Sequence, residues 1–456
     1  MKPQTNHKNK TNRQHYNVFW RWHFYAGIIL APILLMLAIT GATYLFRGNI
    51  EQWLYQDYTE VAAEGGQREA SAITGAAMEA YPDGTVARYQ PPSEEGETAE
   101  VGITNASGEG MTVFVNPYNL ESTGTLLDQN RIMDRVEELH GELMAGTVGD
   151  RIVETAACWT IFMLVSGLYL WWPSRHQMAS RKSFLPSTST NAREKRKRWH
   201  SVPAFWISGG LAFFLLTGML WTGFWGNGIQ QLTTSQGIGY PPSIWVGDAP
   251  VSDQVTEETG DVSWAAEQMP VPESYAANNY EQISIDRVVN EAEQTGVASG
   301  YDVFYPSSDE GVYTVSAFPD QAQGEVTMHM NQYTGSVLAD YRWEQYPPLA
   351  KVMAMGITIH KGLQFGIWNQ LAGLLICLGL IGMIVSGIRL WWTRRPEGKL
   401  GAPKSMSSWR FRGFVGLVIG FGVFFPLFGL SVLLIYAVDR LIIRNNRRLR
   451  SLFHAS

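Results

Sequence analysis

The sequence predicts a multi-pass α-helical membrane protein made of two parallel internal repeats, each carrying a small α+β domain outside the cytoplasm. Three observations predict it: long stretches without charge, a segregation of basic from acidic loops, and histidine-centred motifs that recur at fixed offsets. The 456 residues are 45% apolar and only 17% charged, which is poor in charge for a soluble chain of this length. A cytosolic enzyme, a secreted disulfide scaffold and a disordered chain are excluded together.

Stretches 24–46, 155–172, 202–225, 362–388 and 413–438 contain no Asp, Glu, Lys or Arg. Each approaches or exceeds the ~20 residues needed to cross ~30 Å of hydrocarbon. The layout that follows is a cytoplasmic amino terminus at 1–23, a span at 24–46, an outer domain at 47–151, and a returning span at 152–172. A basic cytoplasmic loop at 173–201 leads to a span at 202–225, a second outer domain at 226–361 and a span at 362–392. A cytoplasmic loop at 393–411 precedes segment 412–443, and a basic tail fills 444–456. Segment 412–443 reads either as one kinked span or as a short hairpin, because Pro426 interrupts it. The first apolar stretch is too long for a signal-peptide core and lacks a small-residue cleavage site, so it is expected to remain as an anchor. Cys158 and Cys377 fall inside apolar stretches and imply neither a disulfide framework nor a thiolate metal site.

Orientation follows from charge. Residues 47–151 hold six Arg, no Lys and nineteen acidic residues, and 226–361 holds four basic against eighteen acidic. The first 22 residues carry five Lys or Arg and no acid, 173–201 carries eight, and 393–411 carries five. By the positive-inside bias the amino terminus and both short loops are cytoplasmic. Beside a span, the basic run 193–198 marks topology, and no nucleic-acid partner is expected.

The duplication is read from offsets. Arg21-Trp22-His23 is followed 17 and 18 residues after the His by Thr40-Gly41, and Arg198-Trp199-His200 at the same distances by Thr217-Gly218. His140 stands 6 residues before Gly146, 26 before Ser166-Gly167 and 31 before Trp171-Trp172; His360 precedes Gly366, Ser386-Gly387 and Trp391-Trp392 by the same numbers. Both copies start inside, so a pseudo-two-fold axis along the membrane normal is expected, pairing His23 with His200 near the inner face and His140 with His360 near the outer one.

The outer segments read as helix then strand. In the second, 283–292 places Ile285, Val288 and Val289 on a helical period, and 301–305, 312–317 and 326–330 alternate as strands before a turn at 331–335. The first gives a helix at 72–80 and a strand at 111–115, closed by Asn116-Pro117-Tyr118.

This α+β unit resembles the PepSY module, and with its flanking spans nearly the whole chain resembles the PepSY-associated transmembrane helix family. The marks are the His opening each outgoing span, His-x5-Gly before each returning span, and the Ser-Gly-x3-Trp-Trp exit. That family includes FoxB-type ferric siderophore reductases carrying b-type haems in the membrane. The resemblance implies a bacterial inner-membrane oxidoreductase with two haem b groups, passing electrons outward to a ferric siderophore or another ferric chelate. Ferrous iron binds hard oxygen chelators less tightly than ferric, so one-electron reduction would release the metal.

In that setting His23, His140, His200 and His360 are the candidate axial ligands. Neutral imidazole binds haem iron, and two imidazoles fill both axial positions, which suits electron transfer. No Cys-x2-Cys-His is present, so a haem would be held non-covalently. Gly27, Gly41, Gly167, Gly209, Gly210, Gly218, Gly373 and Gly387 are candidates for close approach, and Arg21, Arg198, Arg47 and Arg389 are candidate cations for the propionates. A lone His at a membrane boundary is ordinarily an interfacial residue, and His7, His15, His176, His329 and His454 keep that reading or a structural one. Tryptophans at the span ends account for aromatic belts without further chemistry.

No Gly-x-Gly-x2-Gly, Walker loop or flavin fingerprint appears, and cytoplasmic loops of 29 and 19 residues are too short for a domain of ~100 residues. The electron donor is therefore either a membrane quinol or a separate cytoplasmic reductase. Two rivals stand beside this reading: a non-enzymatic membrane protein whose outer modules bind or regulate envelope proteins or peptidases, and a metal or siderophore transporter. Transport favours charged or polar residues within spans, whereas the five apolar stretches carry no charge and Glu154 stands at the outer edge of the second span.

Overall fold

The computed structural model describes residues 4–176, 184–185, 191–236, 238, 251–263, 266–275, 281–396, 399–401 and 412–453. Parts of the expected cytoplasmic loops, and His454, lie outside these residues, as does the side chain of His7 and that of His176. In chain order the first elements are α1 Gln4–Tyr44, α2 Arg47–Thr59, α3 Ala70–Ala80, β1 Thr85–Gln90, β2 Ala99–Thr104, β3 Gly110–Val115 and β4 Ser122–Leu127. Next come α4 Ile132–Glu142, α5 Gly146–His176, α6 Ala192–Gly218, α7 Trp225–Ser235, β5 Val251–Val255, β6 Pro270–Pro272 and α8 Ile285–Gln294. The chain ends with β7 Asp302–Phe304, β8 Val312–Ala317, β9 Val326–Asn331, β10 Val337–Arg342, α9 Pro348–His360, α10 Ile367–Trp392, α11 Arg412–Phe424, α12 Pro426–Val438 and α13 Arg447–Leu452.

Among the described residues five helical stretches are long and apolar enough to cross a membrane: His15–Tyr44, Gly146–Trp172, Ala192–Trp221, Ile367–Trp392 and Pro426–Ile443. The protein is a multi-pass membrane protein. Its residues group into two units, one of Met1–Thr43, Glu138–Asn227 and Leu371–Ser456, the other of Tyr44–Glu137 and Gly228–Gln370.

The first unit is helical and aromatic at its centre. Trp22 packs on Trp159 and Phe162, and Phe162 meets Phe421 and Phe428 from the carboxyl-terminal helices. Segment 412–443 divides at Pro426, which cannot donate a backbone hydrogen bond, into α11 and α12. The two approach closely where Gly422 faces Gly429, a Cβ on Gly422 standing 3.0 Å from the Gly429 Cα. Phe414 at the start of α11 meets Phe19 and Trp22, and the carbonyl of Phe453, after α13, accepts from Arg21 and Tyr25. Both ends of the segment therefore return to one end of α1, and α11 and α12 form a hairpin.

The second unit is built on a sheet of eight strands in the order β10-β9-β8-β7-β1-β2-β3-β4. This corrects the expectation of one small α+β domain in each outer segment: β1 pairs with β7, Arg88 opposite Phe304 and Tyr89 opposite Val303, and Tyr305 N donates to Ala87 O at 3.0 Å. The physical reason is the edge. Each four-stranded half would leave one row of unpaired backbone groups at its inner strand, and joining the two edges satisfies both. Arg88 reinforces the seam, donating to Asp302 and Glu100, each at 3.0 Å.

Helices α3 and α8 cover one face. Ala70, Ile73, Thr74 and Ala77 of α3, and Ile285, Val288 and Ala292 of α8, are buried at helical spacing against Val101, Val113, Val303 and Val315. The helix starts meet where Ser71 N donates to Asp286 Oδ1 at 2.8 Å. Burial would raise the Asp286 carboxyl, but hydrogen bonds from Ser71 and Ser284 outweigh it and hold the group below the usual range. Both halves close the same turn: Asn331 Oδ1 accepts from Tyr333 N and Asn116 Oδ1 from Tyr118 N, each at 2.9 Å. Four residues after each Asn the backbone is left-handed, at Gly335 (φ 72°) and at Leu120 (φ 66°), the second a strained position for a branched side chain.

Candidate functional site

His23 on α1 and Ser166 on α5 face each other, with Nδ1 3.0 Å from Oγ. A serine hydroxyl has one hydrogen, and Ser166 points it at Met163 O, 3.1 Å away in the preceding turn. With the hydrogen so directed, the oxygen accepts and His23 Nδ1 donates. The tautomer this assigns leaves the lone pair on Nε2, the form in which imidazole binds a metal.

The contact is repeated. His200 on α6 stands 3.0 Å from Ser386 Oγ on α10, and Ser386 donates to Met383 O at 2.9 Å. His140, in the last turn of α4, lies with Nδ1 2.8 Å from Thr40 Oγ1 of α1, and Thr40 donates to Met36 O at 2.9 Å. The same argument places the hydrogen on Nδ1 and the lone pair on Nε2 in both.

Glycine sits against each imidazole. A Cβ at Gly167 would stand 3.1 Å from His23 Cε1, at Gly387 3.3 Å from His200 Cε1, and at Gly41 3.2 Å from His140 Cε1. The Ser-Gly and Thr-Gly pairs thus act together, the hydroxyl residue fixing the ring's tautomer and the glycine leaving room for its edge. Other expected glycines serve differently: Gly27 faces Met163, Gly210 packs on Ile376, and Gly209 borders open space.

The segment after His140 is held by backbone geometry. Leu143, Met144 and Gly146 have φ of 54°, 56° and 53°, and a side chain at Gly149 would collide with the Glu142 carbonyl. His360 closes α9, and the chain turns through Gly362 (φ 84°) and Gly366 (φ 57°). The Gly of each His-x5-Gly motif is therefore a left-handed residue, which explains why glycine stands there. Beside His360, Asn369 Nδ2 caps Ile359 O at 2.9 Å.

The expected cations divide. Arg21, two residues before His23, donates to Phe453 O at 2.9 Å and lies over the Tyr25 ring. Arg198 donates to Leu185 O at 2.9 Å, and Arg389 is exposed on the last turn of α10. Arg47 is engaged within the chain, its guanidinium held by Glu51 at 3.2 Å, Asp134 at 2.6 Å and Glu137 at 2.9 Å.

Glu154 also has a structural task. It is buried and accepts from Phe224 N at 3.1 Å and Trp225 N at 3.3 Å, capping the positive start of the following helix. His329, buried in the sheet of the second unit, is engaged by Thr314 at 3.0 Å on Nδ1 and Thr256 at 3.3 Å on Nε2, and burial drives it down to about 3. Cys158 and Cys377 are free and buried. Among the described residues no group of three or more His, Cys, Asp or Glu comes together to hold a bare metal ion. Single imidazoles suit a haem better than a bare metal ion, and His23, His140 and His200 are the residues that would hold one.

The sequence reading missed Ser166, Ser386 and Thr40 as partners of the histidines. The signal was present, because all three belong to the recurring motifs, but a hydroxyl in a membrane helix carries no mark of what lies across from it.

The family model described as PepSY-associated TM region matches residues 20–394. No curated protein matches the chain.

Proposed function

The chain belongs to the PepSY-associated TM region family, and from that membership and the histidine geometry we propose that it is a b-type haem electron-transfer protein of a bacterial inner membrane, reducing ferric chelates outside the cytoplasm. One observation carries the reading. Nδ1 of His23, His200 and His140 stands 2.8–3.0 Å from the hydroxyl of Ser166, Ser386 and Thr40, each of which lies against a carbonyl of its own helix; with the hydroxyl hydrogen directed at that carbonyl, the ligating lone pair falls on Nε2. Such outer partners orient a ligand and raise its basicity.

His23 and His200 are the proposed ligands of one haem, in keeping with their matched contacts to Ser166 and Ser386. His140 and His360 are assigned to a second by the sequence repeat alone. Haem held by two imidazoles exchanges single electrons without an open position for oxygen. Arg21 and Arg198 are the proposed inner propionate partners, and Gly41, Gly167 and Gly387 give the imidazole edges room. The parallel repeat is the architecture on which this symmetry of ligands depends, and matched His–Ser contacts at 3.0 Å in both halves support it. The proposed acceptor is a ferric chelate of the siderophore class, a reading that rests on the family resemblance.

The test is reoxidation. Full-length protein from haem-replete cells is reduced, freed of reductant, and mixed with a ferric hydroxamate beside a ferrous-specific chromogenic chelator. Reoxidation of the haem bands with matching ferrous iron is expected. Bands that stay reduced with ferric hydroxamate, ferric catecholate and ferric citrate alike would overturn the assignment of the acceptor.

A further inference from the structure

At the end of α1 away from Tyr44, α1, α5 and α11 enclose a cleft of 220 Å³, lined by His15, Phe19, Tyr169, Gly413, Phe414 and Leu417 among others. Its walls are aromatic. Phe19 and Tyr169 have ring centroids 4.5 Å apart, and Phe414 meets Phe19 edge-on at 5.0 Å. Phe19 lies four residues before His23, and Tyr169 three residues after Ser166. On both helices the cleft therefore stands about one turn, ~5.4 Å of rise, from the His23–Ser166 hydrogen bond.

We propose that this cleft binds a membrane quinol, the two-electron donor for the reduction proposed above, and the inference rests on that reading. The size fits one substituted six-membered ring, since a cavity of ~150 Å³ holds benzene. Aromatic walls favour offset or edge-on contact with such a ring. The His15 imidazole and the Tyr169 hydroxyl supply polar atoms for the two ring oxygens, and the apolar helix Gly413–Phe424 forms one wall, on the side from which a lipid-soluble donor would arrive. Oxidation there balances as one hydroquinone giving one quinone, two protons and two electrons. His15 takes a phenolic proton, both protons leave to water at that face, and the two electrons reduce two ferric chelates to ferrous.

Full-length protein in lipid nanodiscs is photolabelled with an aryl-azide quinone analogue, and the labelled peptides are mapped. Saturable labelling confined to 15–19, 169 and 413–417, displaced by excess decyl-quinol and lost in both Leu417→Trp and Gly413→Leu, is expected. In the same variants haem reduction by decyl-quinol is expected to fall at least tenfold while dithionite reduces the haem fully, which also shows that the variants are folded. Labelling elsewhere, labelling that either filled variant retains, or quinol-independent reduction by a soluble flavin reductase at the native rate would overturn the site. Colourless protein that still labels at the cleft would refute the haem reading and leave the quinol site standing.

Discussion

His23 Nδ1 stands 3.0 Å from Ser166 Oγ, and that hydroxyl lies 3.1 Å from Met163 O, an arrangement in which Ser166 gives its hydrogen to the carbonyl and accepts from the ring. A pair of side chains on two membrane helices thereby fixes which nitrogen of the ring carries the lone pair, and the His200–Ser386 pair does the same at an equal distance.

Removing the hydroxyl tests this directly. Ser166→Ala or Ser386→Ala is expected to weaken haem retention about 10–100-fold, the usual effect of losing such a partner, while Ser166→Thr keeps it, as Thr40 does for His140. Haem transfer to apomyoglobin measures it. Equal retention in the Ala variants would mean that the hydrogen bond does not orient a ligand.

The seam between the two halves of the sheet rests on few contacts, because β7 has three residues. Arg88→Ala removes the side chain that joins Glu100 and Asp302, whose pairs are about a quarter exposed. Partial solvent screening puts the cost nearer 1–3 kcal/mol than the ~3–5 of a fully buried pair. Hydrogen exchange is expected to quicken at β1 and β7 and to stay slow in β9; uniform quickening would show that the seam is no separate weak point.

Stability of the second unit is expected to fall between about pH 4 and pH 7. Burial lifts Glu325 to about 7, against hydrogen bonds from Ser263 and Tyr346, and lifts Asp302 to about 6 despite Arg88. Each holds its proton in the folded state, so its contribution is complete below the ordinary carboxyl range and is lost as pH rises through these values. For Glu325 the loss is on the order of 3 kcal/mol at ~1.4 kcal/mol per pH unit. His329 acts oppositely: its contribution is complete above 6.5 and is lost as pH falls toward 3. Thermal unfolding of Glu325→Gln is expected to be flatter from about pH 4 to pH 7 than that of the parent; an identical slope would assign the pH dependence elsewhere.

Orientation is checked by fusion. A reporter active only outside the cytoplasm is expected to work after Gly65 or Gly260 and to be silent after Ser187. The opposite pattern would reverse the faces derived from loop charge.

Periodic and repeated features were legible in the sequence. Strand β8 has the bounds its alternation predicts, and the left-handed glycines at 146 and 366 sit where the two His-x5-Gly motifs place them. Long-range pairings were not. The β1–β7 seam joins residues more than 200 apart through a strand too short to show alternation, so the single sheet could not be read from either half. Arg47 looked like a free interfacial cation because Asp134 and Glu137 lie nearly 90 residues away. The histidines stood out by symmetry, whereas Ser166 and Ser386 gained a role only when the helices were set side by side.

Haem stoichiometry of the purified full-length protein tests the central assignment most directly. A pyridine haemochrome spectrum is expected to give two haem b per chain, with one left in His23→Ala and in His200→Ala and one left in His140→Ala and in His360→Ala, each variant still inserted in the membrane. No haem in the parent from haem-replete cells, or two haems in every variant, would contradict it.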